Sequence, residues 1–410
     1  MDFFIDEANR IKITYDDLVA KINDKKEIKK YIYSSNIEDV LTNFVALLYY
    51  GYDVVLLDGD FSSKELVLLN VSKQDLKLKE VIRNDKKIKN IDEVIEKIKD
   101  NANAVQIAIY TSGTTGAPKK VIHPLSLLMR NIKISEKHGS DIWGFAYNIT
   151  HFAGVQVFLQ AFMNKNPIIN LFNNTLDNAD MLLRKYKCTC ISATPTFYRN
   201  FIFLHNEENK NIKYATFGGE QFNNALMVKA NNKFPNAKIR NIYASTEVGS
   251  LLSGVNDSFK IPEKLKSLVK ISSENHLLIH SSLLEKNQII DDWYDTNDIV
   301  AMNEDGTFKI LSRDSDFINV GGYKVNPEEV ESCILQIDGV LDVAVIGRSN
   351  SVLGNILIAN IRKDEKYGDA ELKKKILDTL KGELQYFKIP RIINFVNKIE
   401  KNRSCKKVRK

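Results

Sequence analysis

The chain has 410 residues, of which 44% are hydrophobic and 27% are charged, and its formal net charge is +6. This length predicts two or three packed units, and the composition is typical of a soluble globular protein. The modest charge does not favour a nucleic-acid-binding protein, and no apolar run approaches the length of about 18 residues that a membrane span requires. The elements predicted along the chain begin with a helix at Tyr15, capped by Thr14.

Residues 1–100 alternate lysine-rich helical stretches with short apolar runs. From 104 to about 312, short β-branched runs alternate with amphipathic segments, which predicts an α/β sheet covered by helices. We therefore expect a large N-terminal domain over residues 1–312, built from packed sheets and helices.

Residues 313–410 are expected to form a small, separate α+β domain, so the fold class as a whole is α/β. A helix is predicted over Pro327–Leu335, since it opens with proline and has acidic residues in its first turn. Strands are predicted at 342–346 and 356–361, and a long helix at 370–384.

The cysteines predict a reducing compartment. Cys188, Cys190, Cys333 and Cys405 have neither zinc spacing nor a Cys-x-x-Cys pair, so reduced thiols are expected. The first residues lack a basic stretch followed by an apolar core, so no signal peptide is predicted. We expect a cytoplasmic protein.

The most informative segment follows the apolar run at 104–109. It combines four hydroxyl side chains, two glycines and a lysine, namely Thr111, Ser112, Gly113, Thr114, Thr115, Gly116 and Lys119. The glycines let backbone N–H groups approach an anion, and the hydroxyls and the lysine add donors. The pattern predicts a strand followed by a phosphate-binding loop. It is not a Walker loop, because no Gly-Lys-Ser/Thr follows.

This loop resembles the phosphate loop of the adenylate-forming superfamily, which contains acyl-CoA synthetases, adenylation domains of peptide synthetases, and luciferases. The resemblance implies two steps: a carboxylate attacks the α-phosphate of ATP to give an acyl-adenylate and pyrophosphate, and a thiol then displaces AMP. The resemblance covers residues 104–410 well and 1–100 poorly, which implies a trimmed first subdomain.

A second segment, Asn241–Gly249, resembles the superfamily's Tyr-x-Ser/Thr-Thr-Glu motif. The resemblance implies that Tyr243 flanks the adenine, Thr246 reaches phosphate or adenylate oxygens, and Glu247 holds Mg²⁺. A carboxylate beside a triphosphate suits Mg²⁺, which prefers one or two carboxylates plus phosphates. Taken alone, the Ser-Thr-Glu triplet is more often a helix capping box.

Two shorter segments complete the implied nucleotide site. Gly218, Gly219 and Glu220 resemble the turn on which adenine rests, although a plain strand-to-helix turn fits them nearly as well. Asp298 resembles the aspartate that takes the ribose hydroxyls. Asn297 stands where relatives have glycine, and asparagine is the next residue best able to adopt a positive φ.

Residues 311–331 resemble the superfamily's hinge and the loop after it. The resemblance implies that Arg313 binds ribose or phosphate oxygens and that Gly321 and Gly322 let the backbone pack along a pantetheine arm. The resemblance also implies that the small domain is a mobile lid, which rotates about the position of Ser315; relatives usually have Asp or Lys at this position.

The C-terminal residues 401–410 resemble the turn that delivers the adenylation lysine. The alignment places Lys407 on that lysine and Lys406 on the preceding glycine. A cation there would neutralise charge on the α-phosphoryl group and the attacking carboxylate. A neighbouring lysine could compete for this role, and a frayed basic tail is the structural alternative.

The segment Tyr147–Gly154 resembles the one that lines the acyl pocket and gates the thiol channel, which makes His151 a candidate site residue; a structural histidine is the alternative. No aspartate lies within 147–158, where amino-acid-activating relatives place the carboxylate that pairs with the substrate ammonium. The apolar side chains there favour a hydrophobic or aryl acid.

The sequence therefore predicts an AMP-forming acid–thiol ligase that uses ATP, Mg²⁺, a carboxylic acid and CoA. The phosphopantetheine of a carrier protein is an alternative acceptor, since both thiols share the same arm. A catalytically degenerate nucleotide-binding protein is the alternative from another class, motivated by Ser315 and Lys406. No nucleic-acid partner is expected, because only the basic tail would support one.

Overall fold

The computed structural model describes the whole chain except residues 82–86, 112–118, 221, 223, 246, 285–291, 314–316, 322, 351–353, 402–406 and 408–410. Up to residue 145 the elements are β1 (Asp2–Asp6), β2 (Ile11–Thr14), α1 (Tyr15–Asn23), β3 (Glu27–Lys29), β4 (Tyr31–Ser34), α2 (Ile37–Tyr50), β5 (Val54–Asp58), α3 (Ser63–Leu68), β6 (Lys79–Val81), α4 (Ile91–Asn101), β7 (Gln106–Thr111), β8 (Lys119–Pro124), α5 (Leu125–Met129) and β9 (Trp143–Phe145).

The middle of the chain continues with α6 (Phe152–Phe162), β10 (Ile168–Asn170), α7 (Leu176–Lys185), β11 (Cys190–Ala193), α8 (Pro195–Leu204), β12 (Tyr214–Gly218), α9 (Asn224–Lys233), β13 (Lys238–Ser245), β14 (Gly249–Gly254), β15 (Ser258–Phe259), β16 (Val269–Ile271), β17 (His276–His280), β18 (Trp293–Met302) and β19 (Phe308–Arg313). The C-terminal part forms β20 (Ile318–Val320), β21 (Tyr323–Val325), α10 (Pro327–Leu335), β22 (Val340–Asn350), β23 (Gly354–Lys363), α11 (Asp369–Glu383) and β24 (Ile392–Phe395).

The largest sheet has eight strands in the order β14-β13-β12-β11-β9-β10-β1-β2. Its six inner strands are parallel, and β2 and β14 pair antiparallel at the two edges. A second sheet has the order β4-β5-β7-β8, in which only β8 is antiparallel. One core joins α2 and α4 to α6, and it includes the buried rings of Phe44, Phe158 and Phe162. Parallel strands buried by helices on their faces are the expected result of alternating β-branched and amphipathic segments.

An antiparallel sheet, in the order β15-β19-β18-β17-β16, follows the eight-stranded sheet along the chain and packs its own core against Val248 and Leu252. The C-terminal part has a separate five-stranded sheet, in which β20, β21, β22 and β24 are arranged around β23. Helices α10 and α11 contribute to its core, whose buried members all lie between Val320 and Ile393. The placement of the domain boundary at residue 313 remains a prediction.

Several predicted elements are confirmed. The Thr14 side chain accepts a hydrogen bond from the N–H of Asp17 at 3.0 Å, and the Asp17 carboxylate accepts one from the N–H of Thr14 at 2.9 Å. This capping box starts α1 at Tyr15 as expected. Helix α10 has the predicted bounds, whereas strands β22 and β23 extend beyond theirs, because their pairing continues over ten residue pairs.

Gly154 lets α6 begin where it does. A methyl group on Gly154 would lie 1.9 Å from the carbonyl oxygen of Asn148, so the helix packs directly on the loop before it. We expect Gly154→Ala to lower the free energy of unfolding by about 1–3 kcal/mol, the usual cost of overpacking. The measurement is urea denaturation followed by circular dichroism.

Gly382 is the matched control, since it also lies in a helix, α11, and a methyl group there would meet nothing within 4 Å. Gly382→Ala should raise the free energy of unfolding by about 0.5–1 kcal/mol, because alanine has the higher helix propensity. Equal effects of the two substitutions would contradict the close packing at Gly154.

Candidate functional site

The carboxyl ends of several parallel strands carry the residues that the sequence motifs single out. Strand β12 ends at Gly218, β13 at Ser245 and β5 at Asp58. In open α/β sheets, ligands bind outside the carboxyl ends of the strands. We therefore place the candidate site along these ends.

The phosphate loop connects two paired strands. Strand β7 ends at Thr111, as predicted, and Thr111 lies opposite Lys119 in the antiparallel pair of β7 and β8. The residues between them, Ser112, Gly113, Thr114, Thr115 and Gly116 among others, lie outside the described residues, as do the side chains of Thr111 and Lys119.

Three residues that the sequence assigned to ribose and adenine come together. The Tyr243 hydroxyl donates a hydrogen bond to the carboxylate of Asp298, 55 residues further on. Asp298 lies opposite Arg313 in the pair of β18 and β19, so the guanidinium-bearing residue is a direct neighbour of this carboxylate along the sheet. The side chain of Arg313 lies outside the described part. The Asp298 side chain is buried, and its position at the strand pair places an acceptor beside the aromatic ring.

The turn before Asp298 confirms the role expected of Asn297. Its φ is +57°, in the left-handed region that favours glycine and asparagine. Its backbone N–H donates to the Asp295 carboxylate at 2.7 Å, which holds the turn. Asparagine thus adopts here a backbone conformation that glycine also adopts readily.

The described residues of the Ser-Thr-Glu triplet lie at the end of β13 and in the turn that leads to β14. The Ser245 hydroxyl accepts a hydrogen bond from the N–H of Val248 at 3.3 Å, and Gly249 follows with a φ of +81°. A strand follows instead of a helix, so the capping-box interpretation is wrong. Thr246 lies outside the described residues, whereas Glu247 is half-buried in the turn. One carboxylate in such a position fits Mg²⁺, because the phosphates would supply the other charged ligands.

The turn of Gly218 and Gly219 at the end of β12 places Glu220 beside the N-terminus of α8. Gly219 has a φ of +85°, and the Glu220 carboxylate accepts hydrogen bonds from the N–H and the hydroxyl of Thr196 at 2.9 and 2.5 Å. Thr196 lies in the first turn of α8, where the helix dipole favours an anion. Glu220 therefore anchors this turn, and the contact of Gly218 and Gly219 with adenine remains a prediction. The hydroxyl of Tyr147 reaches the carbonyl of Gly218 at 3.5 Å.

His151 lies in a cluster that the sequence did not predict. Its Nε2 is 3.1 Å from the carboxylate of Asp58, at the end of β5. The same carboxylate accepts hydrogen bonds from the Asn148 amide at 2.8 Å and from the Thr150 hydroxyl. Asp58 follows the apolar run Val54–Leu57, and a carboxylate directly after a buried strand was the signal that could have identified it.

The loop of the small domain includes Gly321, whose φ is +59° and which lies between β20 and β21. Its neighbour Gly322 and the pivot candidate Ser315 lie outside the described residues. The backbone conformation at Gly321 explains a glycine at this position. Its contact with a pantetheine arm remains a prediction.

Lys407 is held inside the small domain. Its ammonium lies 3.1 Å from the Glu331 carboxylate, 3.3 Å from the Asp342 carboxylate and 2.5 Å from the carbonyl oxygen of Val343. Only 5% of the Lys407 side chain is exposed, and the two carboxylates are buried about as well. An ammonium group has three donors, and these three acceptors can use all of them.

Helix α8 also contacts the small domain. Arg362 of β23 donates a hydrogen bond to the side-chain oxygen of Asn200 at 2.6 Å. The preceding residue of α8, Arg199, donates from its guanidinium to the Thr196 hydroxyl at 2.6 Å and lies 3.7 Å from the Glu220 carboxylate. Helix α8 therefore links the turn of Glu220 to the small domain.

Cationic side chains of both the small domain and α8 act on the carboxylate of Asp342. Burial alone would raise the pKa of Asp342, but the neighbouring charges of Lys407, Arg199 and Lys401 hold it below its usual range. A buried carboxylate is thus kept ionised between cations of its own domain and a cation of α8. No sequence motif pointed to Arg199, Glu331 or Asp342.

Fold and site together define an α/β protein whose candidate nucleotide site lies at the ends of parallel strands, followed by a small α+β domain. The chain belongs to the AMP-binding enzyme family, which matches residues 29–271, and the C-terminal domain of AMP-binding enzymes matches residues 329–406. The resemblance to the adenylate-forming superfamily is thereby confirmed.

Curated relatives in this family include acid–CoA ligases. The 2-succinylbenzoate–CoA ligase of Listeria monocytogenes serotype 4b (strain F2365) is 27% identical over 323 residues, covering 73% of this chain and 67% of that protein. Bacitracin synthase 3 of Bacillus licheniformis is 23% identical over 312 residues, or 66% of this chain and 5% of that protein.

The fold also matches a solved structure. The o-succinylbenzoate CoA synthetase (MenE) from Bacillus subtilis, in complex with an acyl-adenylate intermediate, has a TM-score of 0.71 and 20% identity, covering 100% of this chain and 94% of that chain. The predicted fold class, a large α/β domain with a small C-terminal domain, is confirmed. Among the residues that the structure describes, we find no helix with the length and apolarity to cross a membrane.

The environment of Asp342 makes the stability of the protein depend on pH. Because its folded-state pKa is lowered, ionised Asp342 stabilises the fold above pH of about 4, and this contribution is lost as the pH falls through the lowered pKa. We expect Asp342→Asn to lower the free energy of unfolding by about 1–3 kcal/mol at pH 7. The deficit should shrink as the pH falls towards 3. Urea denaturation at several pH values measures this dependence.

Asp378→Asn is the control, because Asp378 is exposed on α11 and its carboxylate lies 3.9 Å from the ammonium of Lys381. It should change the free energy of unfolding little at any pH. A deficit in Asp342→Asn that stays constant from pH 7 to pH 3 would contradict a lowered pKa.

Proposed function

We propose that this protein is an ATP- and Mg²⁺-dependent acid–thiol ligase. It would convert a carboxylic acid to an acyl-adenylate and then transfer the acyl group to CoA, releasing AMP. The observation that carries the proposal is the meeting of Tyr243, Asp298 and the Arg313 position at the end of one strand pair. The names of the relatives support the same reaction class, since the Listeria ligase and the Bacillus synthetase are both CoA ligases.

The charges at the strand ends suit this chemistry. A half-buried carboxylate at Glu247 suits Mg²⁺ bound to a triphosphate, and the MenE structure in complex with ATP and a magnesium ion supports this cofactor pair. Asp298 offers acceptor oxygens to the ribose hydroxyls, with Tyr243 fixing the carboxylate from one side. The loop at 112–118 would hold the phosphates through backbone N–H groups and hydroxyls.

The thiol acceptor and the compartment belong to the proposal as well. CoA is favoured by the CoA ligases among the relatives, and the alignment with bacitracin synthase 3 keeps the phosphopantetheine of a carrier protein as the second candidate. A reducing cytoplasm suits the free thiols of Cys188, Cys190 and Cys333. Burial raises the pKa of Cys188 to about 12, so this thiol stays protonated and unreactive.

ATP–pyrophosphate exchange over a panel of fatty, aryl and amino acids tests the activity. We expect Mg²⁺-dependent exchange with a hydrophobic or aryl acid, because the segment at 147–158 contains apolar residues and no aspartate. A substrate ammonium without a counter-charge in such surroundings would cost several kcal/mol, on the order of the burial of an unpaired charge.

Glu247→Gln supplies the matched variant, since it keeps the shape of the side chain and removes its charge. It should need more Mg²⁺ for the same rate of exchange. Exchange stimulated chiefly by amino acids would contradict the acyl-group proposal, and a complete lack of exchange and of hydroxamate formation would refute the ligase proposal.

The second test concerns the cation that would neutralise charge on the α-phosphoryl group and the attacking carboxylate. The sequence assigns it to Lys407, but in this structure the ammonium of Lys407 already contacts Glu331, Asp342 and Val343. Moving it to a phosphate would break a buried ion pair, whose loss costs about 3–5 kcal/mol. We therefore propose that Lys407 anchors the C-terminal turn and that its neighbour Lys406 supplies the cation.

Lys407→Ala should lower the free energy of unfolding by about 3–5 kcal/mol, because two buried carboxylates lose their partner. Lys406→Ala should slow pyrophosphate exchange by roughly 10²–10³-fold, the effect of losing one preorganised charge donor. Denaturation and exchange are measured on both variants. A stable Lys407→Ala protein without exchange, beside an active Lys406→Ala protein, would return the role to Lys407.

A further inference from the structure

The carboxylate of Asp58 joins the two parallel sheets at their carboxyl ends. Asp58 ends β5 of the four-stranded sheet, and its partners Asn148, Thr150 and His151 follow β9 of the eight-stranded sheet. The Asp58 side chain is only 6% exposed. A carboxylate this well buried needs donors, and the loop after β9 supplies three of them.

This loop lies between two turns of the candidate site. At one end, the Tyr147 hydroxyl reaches the carbonyl of Gly218. At the other end, a methyl group on Gly249 would lie 3.7 Å from the ring of Phe152, so this ring packs against the turn that carries Glu247. Asp58 therefore holds a segment that spans from the glycine turn of β12 to the turn after β13.

The hydrogen bonds also define the state of the histidine ring. An ionised carboxylate only accepts hydrogen bonds, so Nε2 of His151 must carry a proton when it binds Asp58. In the neutral imidazole, the lone pair then lies on Nδ1. The His151 side chain makes no capping bond to α6, although it occupies the N-cap position. Its ring is oriented by Asp58.

We propose that Asp58 is a positioning residue of the ligase reaction, which acts by fixing the ring of His151 with Nε2 protonated. This inference rests on the proposed function. The inference goes beyond the proposed function because it assigns a role to Asp58, which no sequence motif contains. Through His151, Asp58 would act on the acyl and thiol side of the site, because the resemblance assigns that side to the loop at 147–154 and the nucleotide contacts proposed above involve other residues.

The test uses Asp58→Asn, His151→Ala and the double variant. In Asp58→Asn, the amide NH₂ group would face the Nε2–H of His151, so two donors would meet and the ring would lose its acceptor. The amide oxygen could still accept hydrogen bonds from Asn148 and Thr150. We expect Asp58→Asn to slow thioester formation from supplied acyl-adenylate by about tenfold, the lower end of the loss seen when the partner of a metal-bound histidine is removed. The KM for ATP in pyrophosphate exchange should not change. The double variant should be no slower than His151→Ala alone, because Asp58 acts through His151.

Asp6→Asn is the matched control. Asp6 is another buried aspartate at the carboxyl end of a parallel strand, and it accepts hydrogen bonds from the side chains of Asn9 and Asn170 at 2.9 and 2.8 Å. Strand β1 lies four positions from β12 in the sheet. Asp6→Asn should change stability without a selective effect on the thiol step.

The outcomes separate the two proposals. Wild-type protein with no exchange on any acid refutes the ligase proposal and this inference with it. Wild-type exchange together with an unaltered thiol step in Asp58→Asn overturns only the role of Asp58. So does a double variant that is much slower than His151→Ala.

A second measurement does not depend on whether Asp58→Asn folds. The chain has six histidines, so ¹⁵N-histidine labelling gives few ring signals, and His151→Ala identifies the signal of His151. The expected signature in wild-type protein at neutral pH is a protonated Nε2. A ring protonated on Nδ1 alone would overturn the inference.

Discussion

The candidate site depends on buried carboxylates that find their hydrogen-bond donors on another part of the chain. Asp58 takes donors from the loop after β9, Glu220 from the start of α8, and Asp298 from Tyr243. Leaving such a group without its donors costs about 1–3 kcal/mol or more. Each pair therefore fixes two elements that would otherwise be held only by apolar contacts, which constrain position less sharply than a hydrogen bond does. These pairs therefore set the relative positions of the strand ends.

The small domain shows the same constraint at its contact with α8. The buried ion pairs of Lys407 with Glu331 and Asp342 join this residue, near the C-terminus, to α10 and β22. Arg199 of α8 adds positive charge to Asp342 from outside this domain. Helix α8 thus contacts the Glu220 turn with its first residues and the small domain with the residues that follow.

The sequence predicted those structural features that are determined by residues adjacent in the chain. The strand before the phosphate loop, the helix capped by Thr14 and the positive φ at Asn297 all follow from the properties of a few adjacent residues. Partners distant in sequence could not be predicted in this way. Asp58 and His151 are 93 residues apart, and they meet only because two sheets stack with their carboxyl ends together. The ion pair of Lys407 is equally non-local, since its partner Glu331 lies 76 residues earlier in the chain.

The turn at Asn297 is one of several in which asparagine adopts the left-handed backbone conformation. Asparagine also has a positive φ at positions 70, 173, 256 and 275. At such positions, glycine fits the folded backbone more easily, but it leaves the unfolded chain more freedom to lose. With asparagine, the chain therefore loses less conformational entropy on folding, whereas the folded backbone at these positions has a somewhat higher local energy. At Asn297, this makes the loop that orients Asp298 stiffer than a glycine turn would be, so the proposed ribose acceptor is held in place before any nucleotide arrives.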